Sequence, residues 1–467
     1  LTAGPVGTAA SPGRARLGRW VLAVVVLLCG LTLAAGFLNK NRCTGPWFDD
    51  QGRSQPDYQL RSWAQVCYSD IQYLWLGREV NEHVFPYVHG DITADGELTG
   101  GAVEYPVLTG MLIWLGATFA QTDAGFLLGS TLLLAPFGLL VAWLLGKLSR
   151  WRALVWALGP PLVLYAFHNW DLPAVACVVG AVFLLYRLPR PLEQRASWAA
   201  VLLGLGFAVK VYPLLGVLPL ALYVLTGGRA GAELARGNRL RPALRVVGAA
   251  VGTVVLVNLP FALAGFAGWR ASFVFQFARE ADVTSNSLWY WAFRPDSEAT
   301  NEFYPTLVGV LSPVLMVAAF ALACLLGWRR SLATGSYPWL PVFAAMLCAF
   351  LLLHKVHSPQ YALWLLPMFV LLRVHWGWIA SYLVADLAMG IGVFRWFYLL
   401  QDGTGFGISD GFAAQAVMIG VWGRAALLVA LFLVFLRAQP TFAEQPPLPR
   451  HIAGSKTGGR GGSEPAH

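Results

Sequence analysis

Long apolar runs separated by short polar turns occupy most of the chain, at 20–38, 126–146, 153–168, 171–187, 197–210, 211–226, 244–264, 306–327, 338–353, 359–373, 376–395 and 412–436. A helix of about 20 apolar residues crosses a hydrocarbon core of about 30 Å, and a helix satisfies its own backbone where no water is present. The pattern predicts an all-α polytopic membrane protein of about twelve transmembrane helices. The first run, Trp20 to Leu38, ends without a small-residue cleavage site and is read as a retained span.

The basic residues then set the orientation. Arg14, Arg16 and Arg19, Lys147, Arg150 and Arg152, Arg187, Arg190 and Arg195, the five arginines from Arg229 to Arg245, Arg329 and Arg330, and Arg437 all reach the cytoplasm if both ends of the chain lie inside. That alternation requires Glu104 to Gln121 to lie on or dip into the outer leaflet as a re-entrant segment rather than cross. The net charge of +9 is thus a topology signal and not a nucleic-acid patch. With 57% hydrophobic and 12% charged residues and a mean hydropathy of +0.58, a cytosolic globule is excluded. One membrane domain is expected over residues 20–437, in contact with membrane lipids, as a multi-pass protein of the plasma membrane. Residues 1–19 are read as a flexible cytoplasmic segment, and the Pro-, Gly- and Ser-rich 438–467 as a disordered cytoplasmic tail.

Two outer loops, 39–125 and 265–305, are large enough to carry chemistry. The stretch of the first from Asp49 to Glu104 alone holds ten acids, whereas the cytoplasmic turns have few, which points to a site facing the outside. Within it, Tyr68 to Val80 has apolar residues at helical spacing and reads as an amphipathic helix on the membrane, with Ser69 or Asp70 at its N-cap. Asp70 then either caps the helix or accepts a proton from a sugar hydroxyl. Cys43 and Cys67 share the loop on the oxidising face and are expected to form a disulfide, while the other four cysteines lie inside spans. No Cys or His spacing suggests a metal.

Cationic and aromatic residues recur where apolar runs meet the outer face. The stretch HKVHSPQYALWLLP, His354 to Pro367, places two histidines and a lysine beside lipid, where ionisable groups are costly, and so suggests anion handling. Lys210, before Tyr212 and Pro213, either snorkels to headgroups or presents a point charge to a phosphate. His168, Asn169, Trp170 and Asp171 form another outer turn, and Asp171 is read as an N-cap before Pro173. Tyr68, Tyr73, Trp75 and Tyr361 are suited to anchoring the interface. Asp386 and Arg424 are intramembrane charges suited to pairing with each other.

These features, in their order along the chain, resemble the C-type glycosyltransferases. The acid-bearing first outer loop, Glu104-Tyr105-Pro106, the Lys210-x-Tyr212-Pro213 turn and the segment His354, Lys355, Val356, Ser358, Pro359, Gln360, Tyr361 and Trp364 carry the resemblance. It is nearest to glycosyltransferase family 87, the actinobacterial polyprenol-phosphate-mannose-dependent α-(1→2)-mannosyltransferases, a family that includes arabinofuranosyltransferases. The segment from Lys355 is also similar to that of the eukaryotic GPI mannosyltransferases I. The resemblance implies a polyprenyl-phosphate sugar donor, a glycolipid or polysaccharide acceptor and an inverting single displacement. It implies Asp70 as base, and Lys210, His354, Lys355 and His357 around the donor phosphate. Tyr68, Tyr73, Glu104, Tyr105, Asp171, Tyr212, Gln360 and Tyr361 are the expected substrate contacts. No cofactor or metal is expected, because protein cations can neutralise a monophosphate leaving group. Rival readings are an arabinofuranosyltransferase, a lipid-linked sugar transporter or flippase, and a non-catalytic assembly partner; no internal repeat of the transporter kind is evident.

Overall fold

A computed structural model describes residues 12–293, 303–401, 403 and 411–442. Residues 1–11, 294–302 of the second outer loop and the tail from 443 lie outside the described residues. The helices are α1 (Pro12–Asn41), α2 (Tyr58–Ala64), α3 (Asp70–Gly77), α4 (Val107–Ala117), α5 (Asp123–Ser149), α6 (Leu154–Ala157), α7 (Pro160–Tyr165), α8 (Leu172–Arg187) and α9 (Leu192–Phe207). They continue with α10 (Val217–Leu225), α11 (Leu240–Ala264), α12 (Phe266–Ala278), α13 (Leu288–Phe293), α14 (Phe303–Thr334), α15 (Trp339–Leu353), α16 (Ala362–Leu371), α17 (Trp376–Gln401) and α18 (Phe412–Arg437). Among the described residues, strands are confined to two small hairpins in the first loop, Trp47–Phe48 with Ser54–Gln55 and Asp91–Ile92 with Leu98–Thr99. This is the polytopic all-α architecture expected from the apolar runs.

Among the described residues, seven helical stretches are long and apolar enough to cross a membrane, and the remaining apolar runs form shorter helices. The 153–168 run is broken into α6 and α7 at Gly159-Pro160, where a Cβ on Gly159 would lie 2.7 Å from the Val155 carbonyl oxygen. Burial follows composition: α16 is apolar all round and every one of its residues is buried, whereas α11 and α14 keep broad apolar faces exposed at the periphery. Two expected boundaries shift. Helix α1 begins at Pro12, inside the segment read as flexible. Residues 438–442 are held against the bundle, where the Arg373 N–H donates to the Gln439 carbonyl (2.8 Å) and the Ser149 and Thr441 hydroxyls meet at 2.7 Å.

The basic turns and the polar loops collect at opposite ends of the bundle. At one end Arg152 donates to the carbonyls of Phe369, Leu372 and Val374, and Arg330 to those of Leu436 and Ala438. At the other, Lys40 at the end of α1 meets the loop carrying α3, and the Asp123 N–H at the start of α5 donates to Gly52. Helix α4 has 11 residues and spans about 16 Å, half of a hydrocarbon core. Both its flanks contact the polar end: the Leu108 N–H donates to Ala208, and Asp123 follows shortly after its C-terminus.

Asp123 is the anchor of the first loop. Its buried carboxylate accepts from Arg53 Nη1 (3.1 Å), the Ser54 N–H (3.0 Å) and the Ser54 hydroxyl (2.6 Å). A Cys43–Cys67 disulfide ties the end of α1 to the turn before α3. Helices α17 and α18 approach closely through small residues: a Cβ added at Gly420 would lie 2.6 Å from the Met389 backbone nitrogen. Gly420→Val should force the two helices apart and cost about 1–3 kcal/mol, read as a lower thermal midpoint in detergent.

Candidate functional site

The site is built on the N-terminus of α3. Ser69 occupies the N-cap position, yet its hydroxyl donates to the Phe167 carbonyl (2.7 Å) and leaves the helix end uncapped. The Asp70 N–H donates to the His168 carbonyl (2.9 Å), so the start of α3 is fastened to the turn between α7 and α8. Lys40 Nζ (2.6 Å) and His168 Nδ1 (3.1 Å) both reach the Tyr68 carbonyl. The helix expected to lie on the membrane instead buries Ile71, Gln72, Leu74 and Trp75 against protein, because α5 and this turn cover that face.

Asn169 is the centre of the arrangement. Its Nδ2 donates to Asp70 Oδ2 (2.7 Å) and to the Tyr105 hydroxyl (2.8 Å); its Oδ1 accepts from Lys210 Nζ (2.8 Å) and the Trp170 N–H (2.6 Å). Lysine can only donate and carboxylate only accept, so these partners fix which way the amide points. One buried amide thus joins the carboxylate read as base to the cation read as phosphate ligand. Asp70 remains open, with 23% of its side chain exposed, and His168 Nε2 lies 3.8 Å from its Oδ2.

Lys210 does not snorkel. It is buried, its ammonium 4.0 Å from Asp171 Oδ2 and 4.2 Å from the centre of the Tyr105 ring. Asp171 stands at the start of α8 but makes no cap hydrogen bond; its Oδ1 accepts from Trp364 Nε1 at 2.7 Å. Trp364 is sandwiched between Tyr212 (4.3 Å) and Tyr361 (3.9 Å), both nearly parallel to it. Asp70, Tyr105, Asp171, Lys210, Tyr212 and Tyr361, scattered through the sequence, therefore converge.

Tyr68 stays beside Asp70, which acts on its hydroxyl, and the remaining expected residues sit further out. Glu104 pairs with Arg78 at 2.8 Å, and its backbone carbonyl accepts from Gln276. Tyr68 packs against Phe394 (5.4 Å) and Tyr73 (6.0 Å), and Tyr73 is exposed. Gln360 is buried. His354 stacks on Phe350 at 4.8 Å, and Lys355 Nζ donates to the Phe277 carbonyl (3.0 Å). His357 departs from expectation: only 1% exposed, with Nδ1 on the Leu351 carbonyl (3.2 Å), it is enclosed by protein and offers no surface to a phosphate.

Burial holds His354 below its ordinary value, and the Lys355 and Arg279 charges push the same way. Lys355 is lowered by burial, against the pull of Glu280. Burial, with Arg424 nearby, puts His357 well below 6.5. Histidines that protonate less readily folded than unfolded contribute stability that is full above pH 6.5 and is lost as pH falls through their folded values. Thermal midpoints in detergent should therefore drop on acidification below pH 6.5, and His357→Gln should flatten part of that drop.

Two contributors escaped the sequence reading. Asn169 was visible only as a polar residue in a turn. Arg279, in the second outer loop, is half-buried and exerts its charge on Tyr105, Tyr361, His354 and Lys355. Beside the site, a cavity of about 340 Å³ runs between Val211, Tyr212 and Leu215, Met316 and Phe320 of α14, and Phe350 of α15. Its lining is apolar, and Tyr212 and Phe350 connect it to Trp364 and His354.

Residues 173–400 match the family described as Mannosyltransferase (PIG-M). Over 325 residues, 66% of this chain and 76% of the relative, the chain is 23% identical to GPI mannosyltransferase 1 of Saccharomyces cerevisiae (strain ATCC 204508 / S288c). No solved structure matches. The family match takes in Lys210, Tyr212 and the His354 to Gln360 segment and begins just after Asp171, leaving Asp70 outside it. By these matches the chain is similar to a mannosyltransferase family over residues 173–400, and its polytopic helical fold accords with that likeness.

Proposed function

We propose that the protein transfers mannose from a polyprenyl-phosphate donor to a glycolipid or polysaccharide acceptor at the outer face of the plasma membrane, with inversion and an α-(1→2) linkage. The observation that carries the reading is the Asp70–Asn169–Lys210 network: an open carboxylate and a buried ammonium held by one amide. Asp70 takes the proton of the acceptor hydroxyl as that oxygen bonds to the anomeric carbon and the bond from that carbon to the phosphate oxygen breaks. The charge left on the polyprenyl phosphate is met by Lys210 and Lys355, in surroundings where low dielectric strengthens each contact. His354, kept neutral by burial, serves as a hydrogen-bonding group. The apolar cavity beside Tyr212 suits the first isoprene units, and the Tyr212–Trp364–Tyr361 stack suits a sugar face.

An outer-face site is supported by the basic turns, which lie at the opposite end of the bundle and mark the cytoplasmic side by the positive-inside rule. Membranes containing the protein should transfer mannose from polyprenyl-phosphate mannose to a glycolipid acceptor panel. They should not transfer it from a nucleotide sugar, and linkage analysis of the product should give α-(1→2). Transfer from the arabinofuranose donor instead would replace the sugar assignment and keep the donor class.

A further inference from the structure

Deep in the bundle, Asp386 of α17 and Arg424 of α18 are almost fully buried and act on each other through their charges without a hydrogen bond between them, flanked by Tyr165 and Tyr382. Ionisable side chains at membrane depth are costly, and the reading above gives this pair nothing to do. Arg424, however, reaches beyond its counter-ion: its Nη2 donates to the Asn286 carbonyl at 3.2 Å. The Asn286 N–H donates in turn to the His357 carbonyl (2.8 Å), and the His357 N–H donates to the Ser285 hydroxyl (3.1 Å). That hydroxyl donates to the Lys355 carbonyl (3.1 Å). A guanidinium fixed between two membrane helices thus holds the Ser285-Asn286 turn, and the turn clamps the backbone on both sides of Val356.

We propose that Arg424, held in charge balance by Asp386, is a positioning residue for the His354 to Gln360 segment, setting where Lys355 and His354 meet the donor phosphate. The inference rests on reading that segment as the phosphate site. The physical reason for a charge here is reach. An apolar pair would join α17 to α18 equally well, since replacing a whole buried ion pair is often neutral or stabilising. A long side chain with several N–H groups can lie within the field of Asp386 and still donate to a distant carbonyl.

The test compares wild type with Arg424→Gln, Asp386→Asn, the double variant, Arg424→Lys and Lys355→Ala in nanodiscs. It follows thermal midpoint, affinity for decaprenyl phosphate, and KM and kcat for the sugar donor. Each single charge removal should lower the midpoint by stranding its partner, and the double variant should recover it. In the double variant decaprenyl phosphate affinity should stay about tenfold weaker and donor KM correspondingly raised, with kcat little changed. Arg424→Lys should restore part of the affinity. Wild-type affinity and KM in the double variant would reduce the pair to helix packing and overturn the inference. If Lys355→Ala leaves decaprenyl phosphate binding intact, the phosphate reading falls and takes the inference with it. If Lys355→Ala weakens binding while the double variant binds normally, the inference alone falls.

Discussion

Asp70→Asn is expected to lower kcat by about 10²–10⁴-fold, the usual contribution of a positioned general base, with donor KM and thermal midpoint close to wild type. The substituted amide can turn its oxygen toward Asn169 Nδ2 and keep that hydrogen bond, so the start of α3 stays fastened while the proton acceptor is lost. Radiolabelled mannose transfer by purified protein, with gel filtration to establish equal folding, reads the result. Undiminished transfer would remove Asp70 as base. The other acids near the site are poorer replacements, because Glu104 is engaged by Arg78 and Asp171 is closed off from solvent beneath Trp364.

Lys210→Met should remove transfer and destabilise the protein at once, and the two effects are separable. The side chain of Lys210 is 9% exposed and that of Asp171 is fully buried, so removing the ammonium strands a carboxylate. Losing one partner of a buried pair costs about 3–5 kcal/mol, and the Trp364 N–H on Asp171 offsets only part of that. Adding Asp171→Asn removes the stranded charge and should return most of the thermal midpoint. Transfer should not return, because the departing phosphate still lacks its cation. A double variant that regains both stability and transfer would make Lys210 a structural partner of Asp171 and move the phosphate toward Lys355.

What could be read along the chain was whatever depends on local composition. Apolar runs became helices because lipid leaves a backbone no other local solution. The acidic loop kept its identity, and its two cysteines are joined. Asp70, Lys210 and the His354 to Gln360 segment stood out because a charge beside an apolar run is conspicuous. Their surroundings were harder to read. The capping reading of Asp171 and the headgroup reading of Lys210 followed from neighbours in sequence, and each gave way to a partner far along the chain, Trp364 for one and Asn169 for the other. His357 looked like its neighbours His354 and Lys355, yet the backbone turns it into the protein.

Asn169 shows most sharply where that boundary lies. Its partners Asp70, Tyr105 and Lys210 are 99, 64 and 41 residues away, so nothing in the turn that carries it reveals its role. The sequence by itself determined the class of fold, the alternation of basic and polar ends and the inventory of chemical groups, because transfer from water to lipid acts on each run independently. Only the tertiary structure decided which groups meet, which are enclosed and which stay open. A hydrogen bond depends on tenths of an ångström between atoms brought together by packing, and packing is a property of the whole bundle.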